Sequence, residues 1–192
     1  SHGDLQHGNI MVKDDRSLVL LDYDSMYVPD LKGMPDEIKG LVGYQHEGRW
    51  NNKEVSEKAD FFSELVIYIS IKALAKMPAL WNDLNMVDTE TLLFSGEDIQ
   101  SHGSSNIFKI LKTDSDLAPL VDKLCEFMSK PTIDELSPLE EAVISKCDSI
   151  SAKWKTGNGY NPSQNKGSIV DSQEISGKWA GGSGYVKPNS EK

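Results

Sequence analysis

The sequence predicts a mainly α-helical fold entered through a short β-hairpin. Three observations carry that prediction. Two short strand-like runs flank a turn near the start, a long stretch over 55–77 is apolar on nearly every helical face, and three later stretches read as helices. The hairpin comes first. Ile10-Met11-Val12-Lys13 and Ser17-Leu18-Val19-Leu20-Leu21-Asp22 are β-type runs on either side of Asp14-Asp15-Arg16, and such runs separated by a tight polar turn pair as antiparallel strands. Residues 23–52 are rich in Gly, Pro, Asp and Lys without a period; a loop of that length in a compact domain is usually functional or mobile.

The stretch 55–77 follows, with Phe61, Phe62, Leu65, Val66, Tyr68, Ile69, Ile71 and Leu74 spread around the helix, as in a helix buried in a core. Pro78 ends it, because proline lacks the N–H and clashes with the preceding turn. Helices are predicted over 105–112, over 115–129 and from Ser137 onward. The last opens Ser137-Pro138-Leu139-Glu140, a capping box with proline at the first helical position.

Composition bounds the function. The chain has 192 residues, 38% hydrophobic and 26% charged, with a net charge of −10. That acidity argues against a general binder of nucleic acid or of anionic membranes, both of which need cationic surface. No apolar run reaches the ~18 residues of a spanning helix; the nearest, 61–75, is interrupted by Glu64 and Lys72. A signal peptide is not expected from the opening residues. Cys125 and Cys147 lie far apart with no CxxC or Cys/His spacing, so neither a disulfide framework nor a zinc site is suggested, and the expected setting is a reducing cytoplasm. Ser1 opens directly into a dense motif, which points to a segment of a longer chain.

The charge divides the chain in two. Residues 1–150 carry 14 Lys+Arg against 27 Asp+Glu, and residues 151–192 carry 6 against 3. The second part holds 7 glycines and 7 serines with few aliphatics, too little apolar surface to offset its ordering entropy; it is read as a disordered tail. The tail repeats K-W-x-x-G-x-G-Y at a spacing of 25, with Trp154 and Tyr160 in one copy and Trp179 and Tyr185 in the other. A duplicated linker is the favoured reading. The sharper alternative is a repeated docking peptide whose Trp/Tyr pairs anchor a partner.

The chemistry lies in His2-Gly3-Asp4-Leu5-Gln6-His7-Gly8-Asn9, followed thirteen residues after Asn9 by Asp22-Tyr23-Asp24. Phosphoryl transfer needs a carboxylate beside the acceptor hydroxyl and separate oxygen ligands for a hard cation. Asp4 can be the first, while Asn9 and Asp22 are brought together by the hairpin as the ligands. These residues resemble the protein kinase superfamily, whose H-x-D-x-x-x-x-N catalytic loop and D-F-G they repeat at the family's spacing. Asp60-Phe61-Phe62-Ser63 is similar to the D-x-W-S that opens the family's central helix. HGDLQHGN, LLDYDSMYVP, GYQHEGR and DFFSELVIYISIKALA together look like a group of bacterial protein-kinase-like proteins. The match covers about 1–150.

The resemblance implies a kinase C-lobe without its N-lobe, and ATP and Mg²⁺ as cofactors. Asp4 falls on the catalytic aspartate, Asn9 and Asp22 on the metal ligands, and Tyr23 on the DFG aromatic. His2 is implied to support that aromatic, and Asp60 to hydrogen-bond the catalytic-loop backbone. The expected activity is transfer of the ATP γ-phosphoryl to a serine or threonine hydroxyl of a protein. The Gly-rich loop, strand lysine and helix glutamate that clamp nucleotide all precede the catalytic loop in the family. The 192 residues alone are therefore expected to be inactive. His7 and His46 are read as solvated loop histidines.

Several positions depart from the family. Gly3 replaces the arginine of H-R-D, which in kinases that keep it holds a phosphorylated activation loop. Gln6 stands where protein kinases commonly place a lysine, and Asp24 replaces the DFG glycine. The A-P-E motif is not recognisable, with Glu47 the candidate for its place; its usual arginine partner from the later helices is missing, since the only arginines are Arg16 and Arg49. HGDLQHGNI also looks like the HGDLHPGNI of aminoglycoside and choline phosphotransferases, so a small-molecule phosphotransferase is the second reading. A pseudokinase or scaffold is the third.

Overall fold

A computed structural model describes residues 1–144. The tail over 151–192, with its two Trp/Tyr pairs, and Cys147 lie outside the described residues. The chain enters through β1 (Ile10–Val12) and β2 (Leu18–Leu20), which pair antiparallel with Met11 opposite Val19. The turn between them is closed by Lys13 N–H to Ser17 O at 2.9 Å, and Arg16 takes a φ of 66°. Residues 23–52 form the expected long connection, shaped by three short 3-10 turns at Pro29–Leu31, Val42–Tyr44 and Glu47–Asn51.

Among the described residues six helices follow: α1 (Phe61–Lys76), α2 (Leu80–Asp83), α3 (Gly96–Gln100), α4 (Asn106–Leu111), α5 (Ala118–Met128) and α6 (Leu139–Ile144). The fold is therefore mainly helical with one two-stranded hairpin. Helix α1 is the axis of the core, packing on α5, α6 and the Val42–Tyr44 turn. Leu65, Val66, Ile69 and Ala73 are buried against Phe108, Leu111, Val121, Leu124 and Phe127. Two serines sit in this apolar helix without cost to the core: Ser70 Oγ donates to Val66 O at 2.7 Å, and Ser63 Oγ to Tyr44 O at 2.8 Å.

The structure corrects the sequence reading in several places. Helix α1 begins at Phe61 rather than near Val55, because residues 57–60 are held in a turn, with Ala59 N–H donating to Ser56 O and Phe61 N–H to Lys58 O, each at 3.3 Å. It is not apolar-buried all round: Ile71 is 59% exposed. Helix α5 starts at Ala118 rather than Ser115, since the Asp114 carboxylate binds the N–H groups of Asp116 and Leu117 at 2.8 and 3.0 Å and holds them in a turn. Helix α6 starts at Leu139, directly after Pro138. Helices α2 and α3 went unpredicted. The start of α3 is a capping box in which Ser95 Oγ accepts from Asp98 N and the Asp98 carboxylate accepts from Ser95 N at 2.9 Å; aspartate fills the place usually given to Glu or Gln.

Among the described residues, no helix is long and apolar enough to cross a membrane. Cys125 is a free, half-buried thiol whose pKa is raised by burial.

Candidate active site

The loop 2–9 is fastened to the core from below. The Asp60 carboxylate, at the head of α1, accepts hydrogen bonds from the backbone N–H of His2 and, at 2.8 Å, of Gly3. One buried carboxylate thus satisfies two consecutive amides, and charge-assisted bonds of this kind are the strong ones. Gly3 has φ +84°, and a Cβ there would overlap the carbonyl oxygen of Ser25. The position excludes any side chain, the arginine of H-R-D included.

The same loop meets the far end of the hairpin. Leu21 N–H donates to Asn9 O at 2.9 Å, and His2 Nε2 donates to Leu21 O at 2.8 Å. The two peptides flanking Leu21, directly before Asp22, are therefore tied to the two ends of the loop. Asp22 itself is exposed, with a φ of 63°. The His2 ring lies 5.4 Å from the ring of Tyr23, centroid to centroid.

The Asp4 carboxylate is half-buried and oriented by two side-chain amides. Gln6 Nε2 reaches its oxygens at 3.2 and 3.1 Å, and Asn9 Nδ2 donates to Asp4 O at 2.9 Å and to Asp4 Oδ2 at 3.3 Å. Because Asn9 commits its N–H₂ to Asp4, its amide oxygen is the atom left for a cation. Among the described residues no three His, Cys, Asp or Glu side chains gather into a metal cluster. Asn9 with Asp22 is an amide and a carboxylate, a donor set that suits Mg²⁺. That ion keeps several waters and binds through one or two carboxylates and the phosphates of its substrate. The residues present fit that ion.

The two histidines read as solvated are not. His46 is buried, with Nε2 donating to Phe127 O at 2.9 Å and Nδ1 accepting from Gly48 N at 2.9 Å. Both nitrogens of a neutral ring are used, and burial lowers its pKa. His7 is half-buried, its Nδ1 accepting from the Tyr44 hydroxyl at 2.6 Å, and burial lowers its pKa too. The Tyr44 hydroxyl in turn accepts from Leu92 N at 2.8 Å, and desolvation pushes its pKa up to about 12. His46 thus finds its partner on α5 and His7 finds its own in the Val42–Tyr44 turn, contacts that local sequence does not show.

Sequence reasoning missed Arg49. It is 1% exposed and contacts Asp36, Ile38, Gln45 and the carbonyl of Gly3. The available signal was its rarity, as one of two arginines in the chain. Gly40 was also missed: at φ +71° it lies so close to Asp4 that a Cβ would overlap Oδ1. Glu47, read as the stand-in for A-P-E, is 76% exposed in its side chain and lies 3.6 Å from His102. On the other side of this segment, a cleft of about 350 Å³ is lined by Gln45, His46, Glu47, Trp50 and His102 among others, and by none of Asp4, Asn9 or Asp22.

Comparison with protein-family models, with curated proteins and with solved structures gives no match.

Proposed function

We propose that this chain carries the acceptor- and metal-binding half of an ATP-dependent phosphotransferase of the protein-kinase type, acting on a serine or threonine hydroxyl of a protein. The observation that carries the reading is the Asp60 carboxylate on two consecutive catalytic-loop amides, with Asn9 O receiving Leu21 N–H. Through these bonds Asp4, Asn9 and Asp22 share one rigid frame. Asp4, held by Gln6 and Asn9, orients the acceptor hydroxyl and takes its proton. Asn9, through its amide oxygen, and Asp22, through its exposed carboxylate, would hold Mg²⁺. The ion, when bound, neutralises charge on the transferring phosphoryl group. His2 and Tyr23 keep the strand that delivers Asp22 against the loop.

The test is Mg·ATP-dependent phosphotransfer by the full-length protein, with phosphoserine and phosphothreonine scored beside consumption of an aminoglycoside or choline. Phosphate on protein hydroxyls, reduced by about a hundredfold or more in Asp4→Asn, is the expected result, a loss in line with removal of a positioned base. Transfer to the small molecules instead would favour the small-molecule phosphotransferase. Transfer that is absent, or indifferent to Asp4→Asn, would reject the reading.

A further inference from the structure

We propose that Arg49 is a positioning residue for Asp4, and that its buried ion pair with Asp36 locks the segment 36–45 onto the catalytic loop without phosphorylation. The inference rests on the phosphotransferase reading for its catalytic consequence; the lock itself is structural.

A guanidinium has five N–H donors in a planar fork, and here every one is spent on the protein. Nε donates to Asp36 Oδ2 at 3.1 Å, and NH2 donates to Asp36 Oδ1 at 3.2 Å and to Ile38 O at 3.1 Å. NH1 donates to Gln45 Oε1 at 2.6 Å and to the carbonyl of Gly3. Side-chain exposure of the pair is 1% and 3%. Lys39 adds a second cation to Asp36 at 3.0 Å and reaches Asn52 O at 2.7 Å. One side chain thus ties together three points of the long connection and the peptide that precedes Asp4.

The geometry reaches Asp4 by two routes. The first is the backbone of Gly3, whose N–H is held by Asp60 and whose C=O is held by Arg49. With both ends fixed, the residue that follows has its backbone direction set. The second runs through Gln45. Arg49 fixes Oε1, so Nε2 is directed the other way, and that nitrogen is buried with no hydrogen-bond partner. A Cβ built on Gly40 would lie 3.0 Å from Gln45 Nε2 while overlapping Asp4 Oδ1. The unpaired donor therefore faces the same small region beside Gly40 as the Asp4 carboxylate.

This arrangement explains a departure in the motif. Where an arginine precedes the catalytic aspartate, it can bind a phosphate on the activation segment. Here Gly3 leaves no room for that side chain. The cation comes instead from position 49, and the anion is Asp36, a permanent carboxylate rather than an added phosphate.

The experiment uses the full-length protein, before and after phosphatase treatment, with Asp36→Asn and Arg49→Lys. Hydrogen exchange is read over 1–9, 36–45 and 61–76. The wild type is expected to transfer phosphate equally before and after phosphatase. Both variants are expected to lower kcat by about tenfold or more, the scale of a small misplacement of a reacting group, with KM for ATP within about threefold, as for a loss outside ground-state binding. Exchange over 1–9 and 36–45 should quicken by about tenfold or more while 61–76 stays protected, the signature of local opening. Unchanged kcat and unchanged local exchange in both variants would overturn the proposal, as would activity abolished by phosphatase. Loss of protection over 61–76 in both variants would make the pair a general stability element and would also overturn it. If the wild type transfers no phosphate, the proposed function fails by itself, and the exchange result alone decides the lock.

Discussion

At the scale of single residues, the site is held by groups with no freedom to be anything else. Gly3 combines a left-handed φ of +84° with a backbone contact that a Cβ would violate, whereas Gly33 has φ +88° with open space around it. Alanine at 33 should cost only the backbone term of about 1–2 kcal/mol. Alanine at 3 adds overpacking against Ser25, worth about 1–3 kcal/mol more. Urea midpoints of Gly3→Ala and Gly33→Ala measure the difference; equal losses would mean that Ser25 yields without resistance. His46 makes a second residue-scale case. Its folded pKa lies below the ordinary value of 6.5, as does that of His7. The unfolded chain therefore binds these protons first as pH falls. Their contribution to stability is complete above pH 6.5 and is lost below it, with a slope of at most about 1.4 kcal/mol per pH unit for each ring. Glu64, whose carboxyl burial pushes up, works in the opposite sense, its protonation favouring the folded chain. Denaturant midpoints at pH about 7.5 and about 5.5 should differ in the wild type, and the difference should shrink in His46→Gln. An unchanged difference in that variant would show that the ring is not titrating with unfolding.

At the scale of elements, α1 decides which parts of the chain can reach the site. It supplies the buried face of the core and, at its head, the Asp60 carboxylate that fixes the loop. The apolar residues of this segment seemed to leave no solvent face, yet Leu65 is fully buried and Ile71 is 59% exposed. Leu65→Ala should then cost about 2–5 kcal/mol, the usual range for a buried leucine, while Ile71→Ala should stay within about 0.5 kcal/mol. Thermal or urea unfolding of the two variants checks this directly, and similar losses would place Ile71 against something in solution. The elements also show why some starts were legible and others were not. Proline at 78 and at 138 marks a boundary by its own covalent structure, so α1 ends and α6 begins beside them. The start of α1 was placed too early because Val55 and Ala59 extend the apolar pattern ahead of the helix, while residues 57–60 form a turn that the pattern does not show; Asp60, at the helix head, binds the backbone of His2 and Gly3, 58 and 57 residues away. Helix α3 was hidden by its brevity and by aspartate standing in for glutamate in its capping box.

At the scale of the whole molecule, the reading of a mainly helical fold with one hairpin was available from patterning, because amphipathic period and turn residues are local properties. The candidate site was partly available for a different reason: the spacing of Asp4, Asn9 and Asp22 is also local once a hairpin joins them. Arg49 offered only its rarity as a signal, and Gln45 and Gly40 offered none, because their contacts with Gly3 and Asp4 are set by the fold and not by local pattern. The distant contacts concern rigidity, and the local motif concerns the proposed chemistry, so the two can be tested apart. On the proposed reading, a metal site made of one exposed carboxylate and one amide oxygen would have little affinity of its own and would need the nucleotide's phosphates as further ligands. Mg²⁺ with ATP should therefore raise the melting temperature of the full-length protein where Mg²⁺ alone does not. Ligand at about a hundred times its Kd adds about 2.7 kcal/mol to stability, and Asp22→Asn should abolish the rise because it removes the carboxylate from the pair. The folded frame should be intact in that variant, since Asp22 is exposed and the bonds beside it come from the Leu21 backbone. A full shift retained in Asp22→Asn would move the metal elsewhere. No shift in the wild type would favour the scaffold reading, in which the loop geometry is kept without nucleotide.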